Sequence, residues 1–123
     1  MDVNALTEQV IAGAIEVHRE LGPGLLESAY EVCLFQELME RGLRVQRQLP
    51  VAITYHGKPV ECGYRIDLLV ESTVVVEIKS VSGFERIHLA QMLTYLKLSG
   101  HRIGLLINFN VPLLKEGVRR VSL

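Results

Sequence analysis

The chain has 123 residues, of which 49% are hydrophobic, and a formal net charge of −1 at pH 7. This length supports one folded domain with a single core and is too short for a second, so we predict one domain spanning residues 1–123. No block of like charges occurs, which argues against a globally basic nucleic-acid binder. Any surface that binds phosphates must therefore be a small patch of the domain.

The sequence carries no membrane signal. Its first residues, Met1 to Asn4, lack the basic and apolar segments of a secretory leader, and no run approaches about 18 apolar residues. The two cysteines, Cys33 and Cys62, have no metal-type spacing, so we predict free thiols that are buried like small apolar residues. Together these features predict a soluble, cytoplasmic protein.

Two helices are predicted at the N-terminus. Apolar residues recur at helical spacing from Asn4 to Leu21, with Asp2 or Asn4 as the cap, and Gly22-Pro23-Gly24 ends this helix. A second helix is predicted from about Leu25 to Arg41. Both should bury an apolar stripe against the rest of the domain.

The next segment has the period-two pattern of strands. We predict one strand from Leu43 to Ile53, continuous or interrupted at Pro50, then a turn over residues 55–58 and a strand from Pro59 to Val70. A third strand follows from Val74 to Lys79. Because the connections are short, we predict a three-stranded antiparallel meander.

The hairpin between the last two strands determines which residues face each other. With a loop of three residues, Glu71 to Thr73, Val70 pairs with Val74, and counting outward places Asp67 opposite Glu77. Alternation along a strand also predicts two faces. One face would carry Arg65, Asp67 and Leu69, and the other Tyr64, Ile66, Leu68 and Val70.

The C-terminal third continues with a helix and further strands. A helix is predicted from about Arg86 to Ser99, and the apolar run from Arg102 to Phe109 predicts a buried strand parallel to the Val74–Lys79 strand. Residues 117–123 favour a short edge strand. The predicted fold class is α/β, with two N-terminal helices, a meander, a crossover helix and one or two further strands in a mixed sheet.

Asp67, Glu77 and Lys79 are charged residues inside apolar strands, and divalent-metal hydrolysis is the chemistry that would need them there. Neighbouring carboxylates offer oxygen ligands to Mg²⁺, which usually takes one or two protein carboxylates and keeps several waters. Lys79 lies two residues beyond Glu77, where it could position a water or neutralise charge on a phosphate. The alternative is an ordinary cross-strand ion pair, which contributes about 0.2–1 kcal/mol.

Three sequence motifs resemble those of a nuclease family. Asp67 followed by Glu77-Ile78-Lys79 resembles the signature of the PD-(D/E)XK nuclease superfamily, although Ile66 stands where its naming Pro would be. The segment from Gly24 to Tyr30 resembles the motif of the GxxExxY family, and Gln91 to Tyr95 is similar to the Q-x-x-x-Y element of the RecB-like branch.

The resemblance implies a restriction-endonuclease-like fold and a site for Mg²⁺ or Mn²⁺. The residues that it places at this site are Asp67 and Glu77 as metal ligands, Glu27 as an additional or water-mediated ligand, Lys79 as the catalytic base or cation, and Gln91 and Tyr95 as supporting groups. Tyr30 is expected mainly to pack. The leading hypothesis is a metal-dependent phosphodiesterase acting on DNA.

The alternative is a catalytically inactive nuclease-like scaffold that binds nucleic acid or a protein partner. The near-neutral charge favours this alternative, whereas the complete set of two acids and a lysine favours the enzyme. A homodimer is a further expectation, formed through the N-terminal helix or the C-terminal edge strand, because an edge strand presents unpaired backbone groups.

Overall fold

The computed structural model describes residues 1–123 and contains three α-helices and seven strands. The helices are α1 (Val3–Leu21), α2 (Glu27–Glu40) and α3 (Arg86–Ser99). The strands are β1 (Val45–Pro50), β2 (Ile53–Tyr55), β3 (Lys58–Val60), β4 (Arg65–Val70), β5 (Val74–Lys79), β6 (Ile103–Asn108) and β7 (Val118–Ser122). These elements confirm the predicted α/β class.

A mixed five-stranded sheet forms the centre of the domain, with the strand order β1-β4-β5-β6-β7. Only the β5–β6 pair is parallel, as predicted for strands joined by a crossover helix. Helices α1 and α2 pack on one face and α3 packs on the other, so two apolar cores sandwich the sheet. None of the helices is long and apolar enough to span a membrane.

Helix α1 is closely packed on α2. Asp2 caps it, since the carboxylate accepts a hydrogen bond from the backbone N–H of Ala5 at 2.8 Å. A Cβ at Gly13 would lie 2.8 Å from Leu38 Cδ2, so glycine allows the two helices to approach. The apolar stripe of α1 is buried in the first core: Leu6, Val10, Ala14 and Val17. The dimer expected through this helix is not supported, because its apolar face is already covered.

The predicted strand from Pro59 to Val70 is wrong in its first half. Residues 58–60 pair instead with Ile53–Tyr55 in a separate two-stranded hairpin, and the chain breaks at Gly63, which has φ 79°. The side chains of β3 are all exposed, so no buried face holds this segment to the main sheet. As a result β1 pairs directly with β4, and the small hairpin is an insertion within the predicted meander.

Strands β1 and β4 both change the face that they bury. Leu68 packs in the first core and Ile66 in the second, although alternation predicts one face for both. Val45 and Leu49 of β1 likewise pack in different cores. The prediction for Ile66 is therefore wrong, and the physical reason is a backbone irregularity: Gln48 has φ 55°, in the left-handed region, which interrupts the alternation of β1.

The C-terminal elements follow the prediction closely. Helix α3 has the predicted bounds and ends at Gly100 in a left-handed conformation, while β7 forms an edge of the sheet. Gly104 on β6 permits close packing of α3, since a Cβ there would lie 2.4 Å from Met92 Sδ. Both cysteines are free thiols, as predicted, but neither is fully buried. Cys33 is half-buried against the first core, and Cys62 is exposed because it lies in the loop after β3.

Candidate active site

The β4–β5 hairpin has the predicted register. Val70 pairs with Val74, and the Thr73 N–H donates to the Val70 carbonyl at 2.9 Å. Glu71 and Ser72 adopt φ values of 51° and 50°, so two non-glycine residues occupy the left-handed region in this tight turn. The prediction of a three-residue loop is confirmed. The register places Asp67 and Glu77, the two strand acids, side by side.

Beyond the Leu68–Val76 pair, the backbone N–H groups of these strands donate hydrogen bonds to carboxylates instead of to backbone carbonyls. The Asp67 N–H donates to Glu77 Oε1 at 3.3 Å, and the Ile78 N–H donates to Asp67 Oδ2 at 2.8 Å. Each carboxylate is thus held by the backbone of the neighbouring strand. Glu77 Oε2 makes no hydrogen bond within the protein. Because every fully buried side-chain polar atom has a hydrogen-bond partner, this oxygen must reach the surface.

Burial makes both carboxylates unusually hard to ionise. Burial first, and then the negative charge of Asp67, raises the pKa of Glu77 to about 8, although the bond from the Asp67 N–H and the charge of Lys79 oppose the rise. The pKa of Asp67 rises to about 6, first from burial and then from the charge of Glu31, although the bond from the Ile78 N–H opposes the rise. Two adjacent carboxylates in this setting are stabilised by a proton or by a cation.

Glu31 and Gln48 are site residues that the sequence analysis missed. Glu31 on α2 is 7% exposed, and its carboxylate accepts hydrogen bonds from Gln48 Nε2 at 2.7 Å and Arg47 Nη1 at 3.2 Å. Gln48 Nε2 also lies 3.5 Å from Asp67 Oδ1. The available signal was helical spacing, because Glu31 lies one turn after Glu27 on the same face of α2.

Glu27 lies next to this group but does not contact the strand acids. It is exposed in the first turn of α2, and its Oε2 accepts a hydrogen bond from the Ser80 N–H at 3.3 Å. The Ser80 hydroxyl donates to the Leu25 carbonyl at 2.7 Å. Both bonds fasten the start of α2 to the chain immediately after Lys79.

Tyr30 has the packing role that was expected for it. It is fully buried, and its ring stacks on Phe109 with the centroids 4.4 Å apart. Its hydroxyl donates to the Gly22 carbonyl at 2.5 Å and accepts from the Leu25 N–H at 3.1 Å. Tyr30 therefore holds the loop between α1 and α2 and leaves no polar atom for a ligand.

Lys79 and Tyr95 lie close enough to the strand acids for their charges to interact, whereas Gln91 makes no hydrogen bond with any of these residues. Lys79 is half-buried at the end of β5 and forms no salt bridge, and its charge lowers the pKa of both strand acids. Burial, followed by the charge of Glu77, raises the pKa of Tyr95. Gln91 is exposed one turn earlier in α3. His88, one turn before Gln91, is part of the capping box of α3.

Comparison with known proteins decides the family. Residues 4–121 match the family model described as the PD-(D/E)XK nuclease superfamily. The chain belongs to this superfamily. Searches of curated proteins and of solved structures found no match. The sheet and the three helices correspond to the restriction-endonuclease-like arrangement of a PD-(D/E)XK protein.

PD-(D/E)XK nucleases generally use divalent metals, and the donor set of this chain is compatible with one. No three His, Cys, Asp or Glu side chains are grouped so that they alone could hold an ion. Half-buried Asp67 and buried Glu77 are nevertheless neighbouring carboxylates, and an oxygen of Glu77 reaches the surface. Mg²⁺ commonly binds through one or two carboxylates with substrate phosphate and waters. A divalent cation would also relieve the repulsion between their charges.

Proposed function

We propose that this protein is a phosphodiesterase that cleaves DNA with Mg²⁺ or Mn²⁺, within the GxxExxY family and the RecB-like branch of the PD-(D/E)XK superfamily. One observation carries the proposal. Asp67 and Glu77 lie side by side at the point where the β4–β5 ladder gives way to carboxylate bonds, and burial raises both pKa values. An ordinary solvated ion pair would need neither the burial nor the like charges.

Asp67 and Glu77 are the metal ligands in this proposal, and Glu27 is a water-mediated ligand. When bound, a divalent cation would polarise a phosphoryl oxygen and generate hydroxide from water near neutral pH. Backbone bonds hold one oxygen of each carboxylate, Asp67 Oδ2 and Glu77 Oε1, and leave the other oxygen of each without a backbone donor.

Lys79 acts on the attacking water or on the charge that develops on the phosphate. Three features of Lys79 support this role: it is half-buried, it forms no salt bridge, and its charge lowers the pKa of both strand acids. Tyr95 supports the site from α3, where its hydroxyl can donate a hydrogen bond to a phosphate oxygen or its ring can stack on a base. Gln91, exposed one turn before Tyr95, is proposed to orient water or phosphate.

DNA is the substrate that we propose, with other nucleic acids as alternatives for the same phosphodiester chemistry. The net charge of −1 provides little long-range attraction to phosphates. Substrate binding would therefore depend on the bound cation and on contacts close to the site.

The test is cleavage of supercoiled, linear and single-stranded DNA by purified protein in Mg²⁺ and in Mn²⁺. Glu77→Ala removes a proposed ligand, and Glu61→Ala is the matched control, because Glu61 is exposed and forms no salt bridge. We expect cleavage by the wild type and by Glu61→Ala only. Equal nicking by Glu77→Ala would reveal a contaminant, and metal binding without cleavage would identify an inactive scaffold.

A further inference from the structure

Gln48 has an unusual backbone at the point where β1 meets the candidate site. The pairs Arg47↔Leu68 and Leu49↔Ile66 continue the same register on either side of it, so no residue is inserted and Gln48 faces Asp67. This one pair is missing from the ladder. Gln48 has φ 55°, and a residue with a Cβ is uncommon in that region of backbone conformation.

The side chain of Gln48 connects two of the acids at the site. Its amide nitrogen donates to Glu31 Oε1 at 2.7 Å and lies 3.5 Å from Asp67 Oδ1. It is the only side-chain donor within hydrogen-bond distance of Asp67, whose other oxygen is bound by the Ile78 N–H. An amide between two carboxylates supplies donors to both and reduces their repulsion, which no carboxylate or apolar side chain could do.

We infer that Gln48 is a positioning residue, which holds the Asp67 carboxylate in the orientation that binds the metal. This inference rests on the proposed function and assigns a role to a residue outside the motifs of the superfamily. A regular β conformation would let β1 continue its alternation, whereas the left-handed backbone occurs where the amide reaches both Glu31 and Asp67. Strained backbone conformations of this kind cluster at functional sites.

Two substitutions distinguish the effect of the Gln48 side-chain amide from the effect of its left-handed backbone. Gln48→Gly adopts φ 55° without strain, and this relief offsets the lost bond to Glu31, so we expect a folded protein with a stability close to that of the wild type. Gln48→Met keeps the length of the side chain and also lacks the amide. For both variants we expect the affinity for Mn²⁺ to fall by about 10-fold or more, as is typical when a partner of a metal ligand is removed.

Arg47→Ala is the matched control. Arg47 binds the other oxygen of Glu31 and does not contact Asp67, so its loss should weaken Mn²⁺ binding less than the loss of the Gln48 amide. The measurement is titration calorimetry with Mn²⁺ alone, and circular dichroism establishes the folded fraction of each variant. A melting curve for each variant shows whether stability and metal affinity change separately.

Folded Gln48→Gly and Gln48→Met that bind Mn²⁺ as tightly as the wild type would overturn the inference and leave the proposed metal site intact. Equal weakening by Arg47→Ala would also overturn it, because the effect would then pass through Glu31. A wild-type protein that binds no Mn²⁺ would overturn the proposed function together with this inference. Weak binding by the two Gln48 variants, at undiminished stability of Gln48→Gly, is the result that supports it.

Discussion

The two strand acids should make this protein less stable as the pH rises, and Glu77→Gln should remove most of that effect. Glu77 has an ordinary pKa of 4.5 and a pKa of about 8 in the folded protein, because burial disfavours its charge. Between these values the folded state retains a proton that the unfolded state has lost. Stability therefore falls with increasing pH across this window and levels off above it.

The magnitude follows from the width of the window. One pKa unit corresponds to about 1.4 kcal/mol, so the interval from 4.5 to about 8 gives a loss of up to about 5 kcal/mol between pH 4.5 and 8. Asp67 adds a smaller loss between its ordinary pKa of 3.8 and about 6. Since small domains unfold at a cost of about 5–15 kcal/mol, the effect is large enough to measure.

Urea unfolding followed by far-UV circular dichroism is the suitable assay, because the chain has no tryptophan. In EDTA, the free energy of unfolding of the wild type should decline from pH 5 to pH 8. Glu77→Gln should show a flatter profile and greater stability than the wild type at pH 8. Glu61→Gln, the same chemical change at an exposed position, should follow the wild type.

A wild-type stability that is flat or rises between pH 5 and pH 8 would refute the reasoning, since it would mean that Glu77 ionises in the folded protein as easily as in water. Adding Mn²⁺ at pH 8 should restore stability to the wild type and not to Glu77→Gln, because the ion binds the folded state through the ionised carboxylate.

Three further predictions concern single residues. Lys79→Ala should abolish DNA cleavage and change the free energy of unfolding by less than about 0.5 kcal/mol, because Lys79 forms no salt bridge; a large drop in melting temperature with cleavage retained would assign it to structure. Tyr30→Phe should cost about 1 kcal/mol in urea unfolding through the lost bond to the Gly22 carbonyl, with unchanged Mn²⁺ affinity in calorimetry; weaker Mn²⁺ binding would contradict a packing role. Gly104→Ala should cost about 1–3 kcal/mol in the same unfolding assay, since the new Cβ collides with Met92; wild-type stability would show that Met92 moves aside freely.

The sequence alone determined the three helices, most of the strands and the register of the β4–β5 hairpin. Helix α3 was predicted with its observed bounds because its apolar spacing and the terminal Gly100 act within a few residues of each other. The pairing of Val70 with Val74 was predictable for the same reason, since a three-residue loop allows only one antiparallel register. That register alone predicts that Asp67 and Glu77 are neighbours, without any contact from other parts of the chain.

Tertiary structure alone decided how the rest of the site is assembled. Strand β1 reaches β4 across the inserted β2–β3 hairpin, and pairing across an insertion depends on which segments find a buried face. Glu31 meets Gln48 and Asp67 only because α2, β1 and β4 converge at the site. Its spacing from Glu27 indicates a shared helix face but does not indicate which strands that face contacts. The left-handed backbone of Gln48 was equally unpredictable, since only glycine signals that conformation in a sequence, and here contacts between distant segments maintain it.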